Sequence, residues 1–219
     1  MSMFAIRRET PFDIAPREAL LDEVMGEARF TKTAARLREN RLPAEGLSFV
    51  ARASRRLIGA VQLWDISAGP GRPAILLGPL AVACDRRNRG VGTALVRHAL
   101  DEARRRGHGL VLLVGDAPYY GRFGFSSERT QALWLPGPYE RHRLLALELA
   151  AGALDGARGL VHATGRSAPT PDLSALVAGA LADGATGSQP HRNPHPRHRN
   201  ERYERHDPCD PILAAARAV

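Results

Sequence analysis

Residues 86–92 read Arg-Arg-Asn-Arg-Gly-Val-Gly and run directly into a segment with helical apolar spacing that also carries Arg97. Arginines clustered on two glycines at the mouth of a helix suit an anion. The first helical turn carries about half a positive charge and several N–H groups with no carbonyl to bond. Phosphate docks there readily. Glycine lets a phosphate approach the main chain where a Cβ would stand in the way. Guanidinium groups then add charge-assisted bonds to its oxygens. Three phosphate motifs compete for the stretch. A Walker loop, G-x-x-x-x-G-K-[ST], has no match. The dinucleotide fingerprint G-x-G-x-x-G fails because Leu95 stands where the third glycine belongs and no early strand opens it. The third pattern, [QR]-x-x-G-x-[GA], is met by Arg87-Asn88-Arg89-Gly90-Val91-Gly92.

The elements around this turn come in the order strand, turn, helix, strand. "AILLGPLAVA", residues 74–83, is nearly all apolar, as expected of a strand buried on both faces. Gly78-Pro79 interrupts it, and proline cannot donate to a ladder, so a bulge or a splayed edge is expected there. The following helix turns Val91, Leu95, Val96, Ala99, Leu100 and Ala103 inward as one stripe. Gly107 suits its C-terminal cap, with Arg104, Arg105 and Arg106 at the negative end of the dipole. "LVLLVG", residues 110–115, is another buried strand. "PYYGRFGF" starts as a short helix and breaks at Gly124.

Upstream, "MFAIRRE" reads as an opening strand. "APREALLDEVMGEAR" and "TKTAARLREN" read as two helices, the second ending near Asn40 and Pro43. "GLSFVARA" and "LIGAVQLWDIS" read as strands joined by "SRR". Downstream, "ALWL", "RLLALELA" and "GLVHAT" are further strands. From residue 165 the composition turns to proline, histidine and arginine with few apolar residues. Such a segment cannot bury enough surface to offset its ordering entropy. The expected division is a domain over 1–164 and a disordered tail over 165–219, with weakly helical "PDLSALVAGALA".

Charge is placed unevenly. Residues 1–164 hold 24 Lys and Arg against 17 Asp and Glu, and residues 86–106 alone hold seven arginines against two acids. Local excess of this kind attracts polyanions. Lys32 is the only lysine, so part of the arginine is a compositional habit that does not account for the clustering. No apolar run reaches the ~18 residues of a membrane span. The N-terminal residues lack a signal peptide's apolar stretch, so a cytoplasmic protein without membrane partners is expected. Cys84 and Cys209 do not make a disulfide framework. Cys84 is read as packing rather than as a nucleophile. The tail's His191, His195, His198 and His206 lack the spacing of a zinc module, and no metal is expected.

The joint run "PLAV", R-x-x-G-x-G, buried strand, "YYGRFGF" resembles the core of the GNAT N-acetyltransferases and looks most like their bacterial YhbS-like subgroup. The resemblance covers roughly residues 3–164. It implies an α/β (α+β) fold: a mixed sheet of six to seven strands, flanked by helices and splayed between the fourth and fifth. It also implies an enzyme moving an acetyl group from the co-substrate acetyl-CoA to a primary amine by direct attack in a ternary complex. On that resemblance, backbone groups of Leu80, Ala81 and Val82 pair with the pantetheine arm, and one N–H holds the thioester oxygen. The N–H groups of Arg87, Asn88, Arg89, Gly90, Val91, Gly92 and Thr93 cradle the diphosphate. Tyr120, which fits "Y-x-x-x-G-F", protonates the leaving thiolate. Many members carry proline where Cys84 stands.

The base that accepts the amine's proton is open. Asp116, past the fifth strand, is the first candidate and Asp65 the second. A chain of ordered water serves equally, and Asp116 also reads as a turn or cap residue. Tyr119 competes with Tyr120 for the acid role. Trp64 and Trp134 are candidates for an acceptor pocket, although strand aromatics are more often core, and His98 reads as surface. A non-catalytic acyl-CoA sensor and an RNA-associated basic protein are the alternatives. Nucleic acid is disfavoured because the arginine stripe has no interleaved aromatics. Whether the acceptor is a small molecule or a protein, and whether the chain forms a homodimer, stay open.

Overall fold

The computed structural model describes residues 4–169. Of the expected tail, residues 165–168 bond to residues 40–42, through the Leu42 N–H to the Arg166 carbonyl at 2.8 Å and the Ala168 N–H to the Asn40 carbonyl at 2.9 Å; the rest, from residue 170 and with the tail histidines included, lies outside the described residues. In chain order the elements are β1 (Ala5–Arg8), α1 (Ile14–Met25), α2 (Thr33–Arg36), β2 (Ser48–Ala53), β3 (Arg56–Ala68), β4 (Pro73–Val82), α3 (Val91–Arg105), β5 (Leu110–Val114), α4 (Ala117–Tyr120), β6 (Leu133–Trp134), β7 (Leu144–Glu148) and β8 (Gly159–Ala163). The sheet runs β1-β2-β3-β4-β5-β7, with β8 against β3 and β6. That makes eight strands rather than six or seven, the additions being short pieces at the margin. Pairing is antiparallel except for β4 with β5 and β6 with β8.

The apolar runs of β4 and β5 have a simple cause. Successive strand side chains face opposite sides, and both faces of this sheet are covered. Ile75, Leu77, Val111 and Leu113 join a core with Leu21 of α1 and Leu95 and Ala99 of α3. Leu76, Leu110 and Leu112 join a second core with Leu37, Leu133 and Leu144. All six residues of the predicted α3 stripe are buried. α3 lies close on the sheet because Gly59 offers no side chain: a Cβ there would sit 2.9 Å from both Val91 Cγ1 and Leu95 Cδ1. The helix ends as expected, with Gly107 at φ 82° and the His108 N–H bonded to the Ala103 carbonyl at 3.1 Å.

Three expectations change. The second predicted helix shrinks to the single turn α2, and the chain leaves helical geometry by Asn40, at φ 53°. His98 is not plain surface but stands edge-on to Phe49, ring centroids 4.7 Å apart. Trp134 is 55% exposed, because β6 is only two residues long, and the Arg141 guanidinium lies over its ring at 4.1 Å.

Asp13, 0% exposed, ties the first strands together. Its carboxylate accepts from Arg7 of β1 at 2.7 and 2.9 Å, from Arg52 of β2 at 2.8 Å, and from the Thr10 hydroxyl and N–H at 2.7 and 2.9 Å. Burial by itself raises the carboxyl's pKa, but the bonds from Arg7 and Thr10 overcome it and hold the group far below the usual carboxylate range. Its folded pKa is depressed, so its stabilisation is complete above the unfolded value near ~3.9 and is lost as pH falls through the folded one. Asp13→Ala is expected to lower the unfolding free energy by about 2–3 kcal/mol at neutral pH, as measured by urea denaturation. The gap from wild type should narrow as the measurement is repeated below pH ~4.

Candidate active site

β4 and β5 pair only at Ile75–Val111 and Leu76–Leu112. Beyond them β4 continues to Val82 on its other side, with Leu80, Ala81 and Val82 opposite Val61, Ala60 and Gly59 of β3. The β3–β4 register shifts around Gly78-Pro79, whose peptide bond is cis, and the Trp64 indole N–H donates to the Gly78 carbonyl at 2.7 Å. Pro79 brings no N–H. The β4 edge facing β5 is therefore open from residue 77 onward. In an antiparallel pair alternate residues turn their main-chain groups away from the partner, so some N–H and C=O groups of 80–82 point into this gap.

α3 starts at the same end of the sheet. Gly90 takes the left-handed conformation at φ 77°, Asn88 does so at 58°, and residues 88–90 are exposed. A Cβ at Gly90 would meet no heavy atom within 4 Å, so the seat is open. The N–H groups of Val91, Gly92 and Thr93 have no carbonyl one turn back. Arg86 and Arg56 share Asp85, at 3.3 and 2.8 Å. Arg89 makes no ion pair among the described residues and is exposed beside the turn. The turn is built as the sequence reading expects.

Gly92 has a second role that the motif did not reveal. A Cβ there would lie 2.7 Å from the Tyr119 hydroxyl and 3.4 Å from Val82. Tyr119 thus leans on the head of α3, with Arg122 stacked on its ring at 4.0 Å. Burial raises its phenol's pKa, against the opposing effect of Arg122 and Thr93. Tyr120 turns instead toward the end of β5. Its ring occupies the space a side chain at Gly115 would need, and it stands edge-on to Phe125 at 5.9 Å. Burial is the main cause of a strong rise in its pKa, followed by Tyr119; Arg143 lowers it and Asp116 raises it slightly. No hydrogen bond to the protein holds the Tyr120 hydroxyl among the described residues.

The two candidate bases separate. Asp116 follows β5 at the open end, and its carbonyl accepts from Tyr119 and Tyr120 at 3.1 and 3.0 Å. Asp116 is the N-cap residue of α4, as the turn-or-cap reading has it, while its exposed carboxylate makes no cap bond and faces solvent. Asp65 pairs with Ile75, five residues before Leu80, or about 16 Å along the strand. It lies away from the open end.

A cavity of about 380 Å³ lies beside the bulge, lined by α1, the α1–β2 connection and the strands. Pro79 and Trp64 form the wall nearest the open β4 edge; Gln62, Glu18, Arg17 and Arg38 supply polar groups. Trp64 is both core and cavity wall. Sequence reasoning missed Arg17, Glu18, Gln62 and Arg38. Only Gln62, a polar residue inside the apolar run "AVQLW", carried a local signal. Among the described residues, no three His, Cys, Asp or Glu gather as a metal would require, and no helix is long and apolar enough to cross a membrane.

Known proteins share this arrangement. Residues 13–125 match the acetyltransferase (GNAT) family. The chain is 30% identical over 157 residues to the uncharacterized N-acetyltransferase YhbS of Escherichia coli strain K12, covering 71% of this chain and 93% of that protein. YhbS of the O157:H7 strain matches equally. A crystal structure of the GNAT family N-acetyltransferase YhbS from E. coli in complex with CoA superposes with a TM-score of 0.63 at 29% identity, covering 73% of this chain and 89% of that one. The splayed sheet and the glycine-opened helix define an acyltransferase. The chain belongs to the GNAT acetyltransferase family and is an N-acetyltransferase.

Because burial and the Asp116 charge both favour the neutral Tyr120 phenol, it is expected to ionise above the ordinary tyrosine value of about 10. Asp116→Asn removes a charge that opposes the phenolate, so the ionisation should begin at lower pH. Alkaline titration followed by ultraviolet difference absorbance, with Tyr120→Phe to assign the signal, measures both.

Proposed function

We propose that this enzyme takes its acetyl group from acetyl-CoA and passes it to a primary amine by direct attack in a ternary complex. One observation carries the reading: the open edge of β4 and the glycine-opened head of α3 lie at the same end of the sheet. A diphosphate seated on the α3 amides would let its pantetheine arm run along residues 80–82 as an added strand. A β4 N–H would then meet the thioester oxygen where negative charge develops, a donor fixed before reaction. The solved YhbS structure is a complex with CoA, which supports a CoA thioester as the donor.

The chemistry needs two proton movements. The amine nitrogen attacks the carbonyl carbon, the C–S bond breaks, and the thiolate needs a proton. Tyr120 gives it. Tyr119 is the weaker choice because its hydroxyl is lodged against Gly92 and Thr93. The raised Tyr120 pKa keeps the proton in place at neutral pH. The same exclusion of water disfavours a thiolate, so donor and acceptor rise together. Asp116, at the same end of the sheet, takes the amine's proton directly or through ordered water.

Thiol release from acetyl-CoA with pooled amines and proteins tests the reaction. Tyr120→Phe is expected to lower kcat by about 10²–10⁴-fold while leaving CoA affinity unchanged; Tyr119→Phe should cost far less. Calorimetric titration should show CoA binding to wild type and none to Gly90→Trp, whose indole would fill the seat. A wild-type protein that binds no CoA would end the reading.

A further inference from the structure

The cavity beside Pro79 contains a cation that has no acid partner among the described residues. Four arginines border it, and three are engaged. Arg17 pairs with Glu9 at 2.5 Å and Glu18 at 2.7 Å. Arg29 pairs with Glu18 at 2.6 Å and Asp22 at 2.9 Å. Arg36 donates to the Pro136 carbonyl at 2.8 Å and is exposed. Arg38 differs. Its Nε donates to the Ala34 carbonyl at 3.3 Å, and its guanidinium stands 6.0 Å from the Trp64 ring. Among the described residues its two terminal nitrogens bond no protein group and no carboxylate lies within ion-pair distance.

Arg38 is half-buried, so its charge is only partly solvated and a carboxylate partner is worth more there than at the open surface. Burial, with the Arg29 charge acting the same way and Glu18 opposing, brings the Arg38 pKa down to about 10, so the group is still charged at neutral pH. A guanidinium with both terminal nitrogens free presents the planar fork that matches a carboxylate with two parallel bonds. The volume, about 380 Å³, suits a small molecule rather than a protein surface. Glu18 gives the same cavity a negative group, held ionised by Arg29 and Arg17 against the effect of burial.

We propose that the amine acceptor is a small amino-carboxylate, of amino-acid to short-peptide size, whose carboxylate is held by Arg38 while its amine reaches the open β4 edge at Pro79. This rests on the acetyl-transfer reading above and narrows it to a substrate class. Trp64 flanks the stem of the acceptor, and Arg38 acts as a binding residue, not as part of the proton transfer.

The test uses the full chain and matched probes: the common α-amino acids and their α-amides, which keep the amine and lose the carboxylate charge. Thiol release from acetyl-CoA is followed for each pair. Wild type is expected to favour the acid over its amide by about 10- to 100-fold in kcat/KM. Arg38→Met should erase that preference by raising KM for the acids, with the rates on amides unchanged. Arg38→Lys should restore part of it. Removing an unpaired, half-buried cation for an apolar side chain is not expected to lower the melting temperature; Arg38→Gln serves if Met does not fold. Amides turned over as well as acids, with CoA bound normally, would overturn the amino-carboxylate class and leave acetyl transfer standing. No CoA binding would overturn acetyl transfer. Calorimetric binding of the amino acids to wild type and Arg38→Met then decides the role of Arg38 alone, equal affinities refuting it.

Discussion

β4 stops bonding to β5 after Leu76, and the site exists because of that divergence. The cause is local. Pro79 has no N–H to give, Gly78 and Pro79 shift the register against β3, and the Trp64 indole takes the Gly78 carbonyl. Main-chain groups left unpaired at a strand edge are costly unless something bonds them. An edge opened this way is a binding surface before any side chain is considered. The closed end is kept shut by apolar packing: Ile75 and Val111 on one face, Leu76 and Leu112 on the other, all essentially without exposure. The sheet thus behaves as a wedge, fixed at one end and open at the other.

The second constraint is that a helix head must stand at the mouth of the wedge. Gly59 lets α3 settle onto the sheet, and Val91 and Leu95 fill the space it leaves. That fixes where the first-turn amides fall. Gly90 supplies the left-handed turn that aims them outward, and Gly92 leaves room for the Tyr119 hydroxyl. Tyr119 therefore braces the head of α3 while its neighbour Tyr120 lies against the end of β5. Two adjacent residues reach different elements because successive side chains on the short helix α4 stand about 100° apart. The paired tyrosines join the two sides of the wedge.

The legible parts of the sequence were those whose signal is local. The α3 stripe was readable because six apolar positions repeat with the helix. β4 and β5 were readable because strands buried on both faces lose polar alternation. The break at Gly78-Pro79 followed from proline chemistry. What failed was decided by distant partners. Asp65 lies inside β3 and Asp116 follows β5, and which of them stands at the wedge depends on register. Trp134 is exposed because its strand is two residues long at the sheet's margin. His98 is edge-on to an aromatic from β2, which no spacing within α3 encodes. Arg17, Glu18 and Arg38 meet across a cavity assembled from three parts of the chain.

A chain with one lysine uses arginine for every cationic task, so arginine alone carries no functional signal. Partnering does. Arg7 and Arg52 converge on Asp13, Arg17 and Arg29 on Glu18, and Arg129 reaches both Glu148 and Asp155. The bonds from Arg52 and Arg129 hold together segments distant in sequence, whereas Arg17–Glu18 joins neighbours. An arginine at full exposure without an acid costs nothing, since water solvates it. The informative combination is partial burial together with free terminal nitrogens. Arg38 meets both conditions beside the bulge, and removing it for an apolar residue would suit the fold as well or better. On the proposed reading, this half-buried cation without an acid among the described residues is matched by the carboxylate of the acceptor.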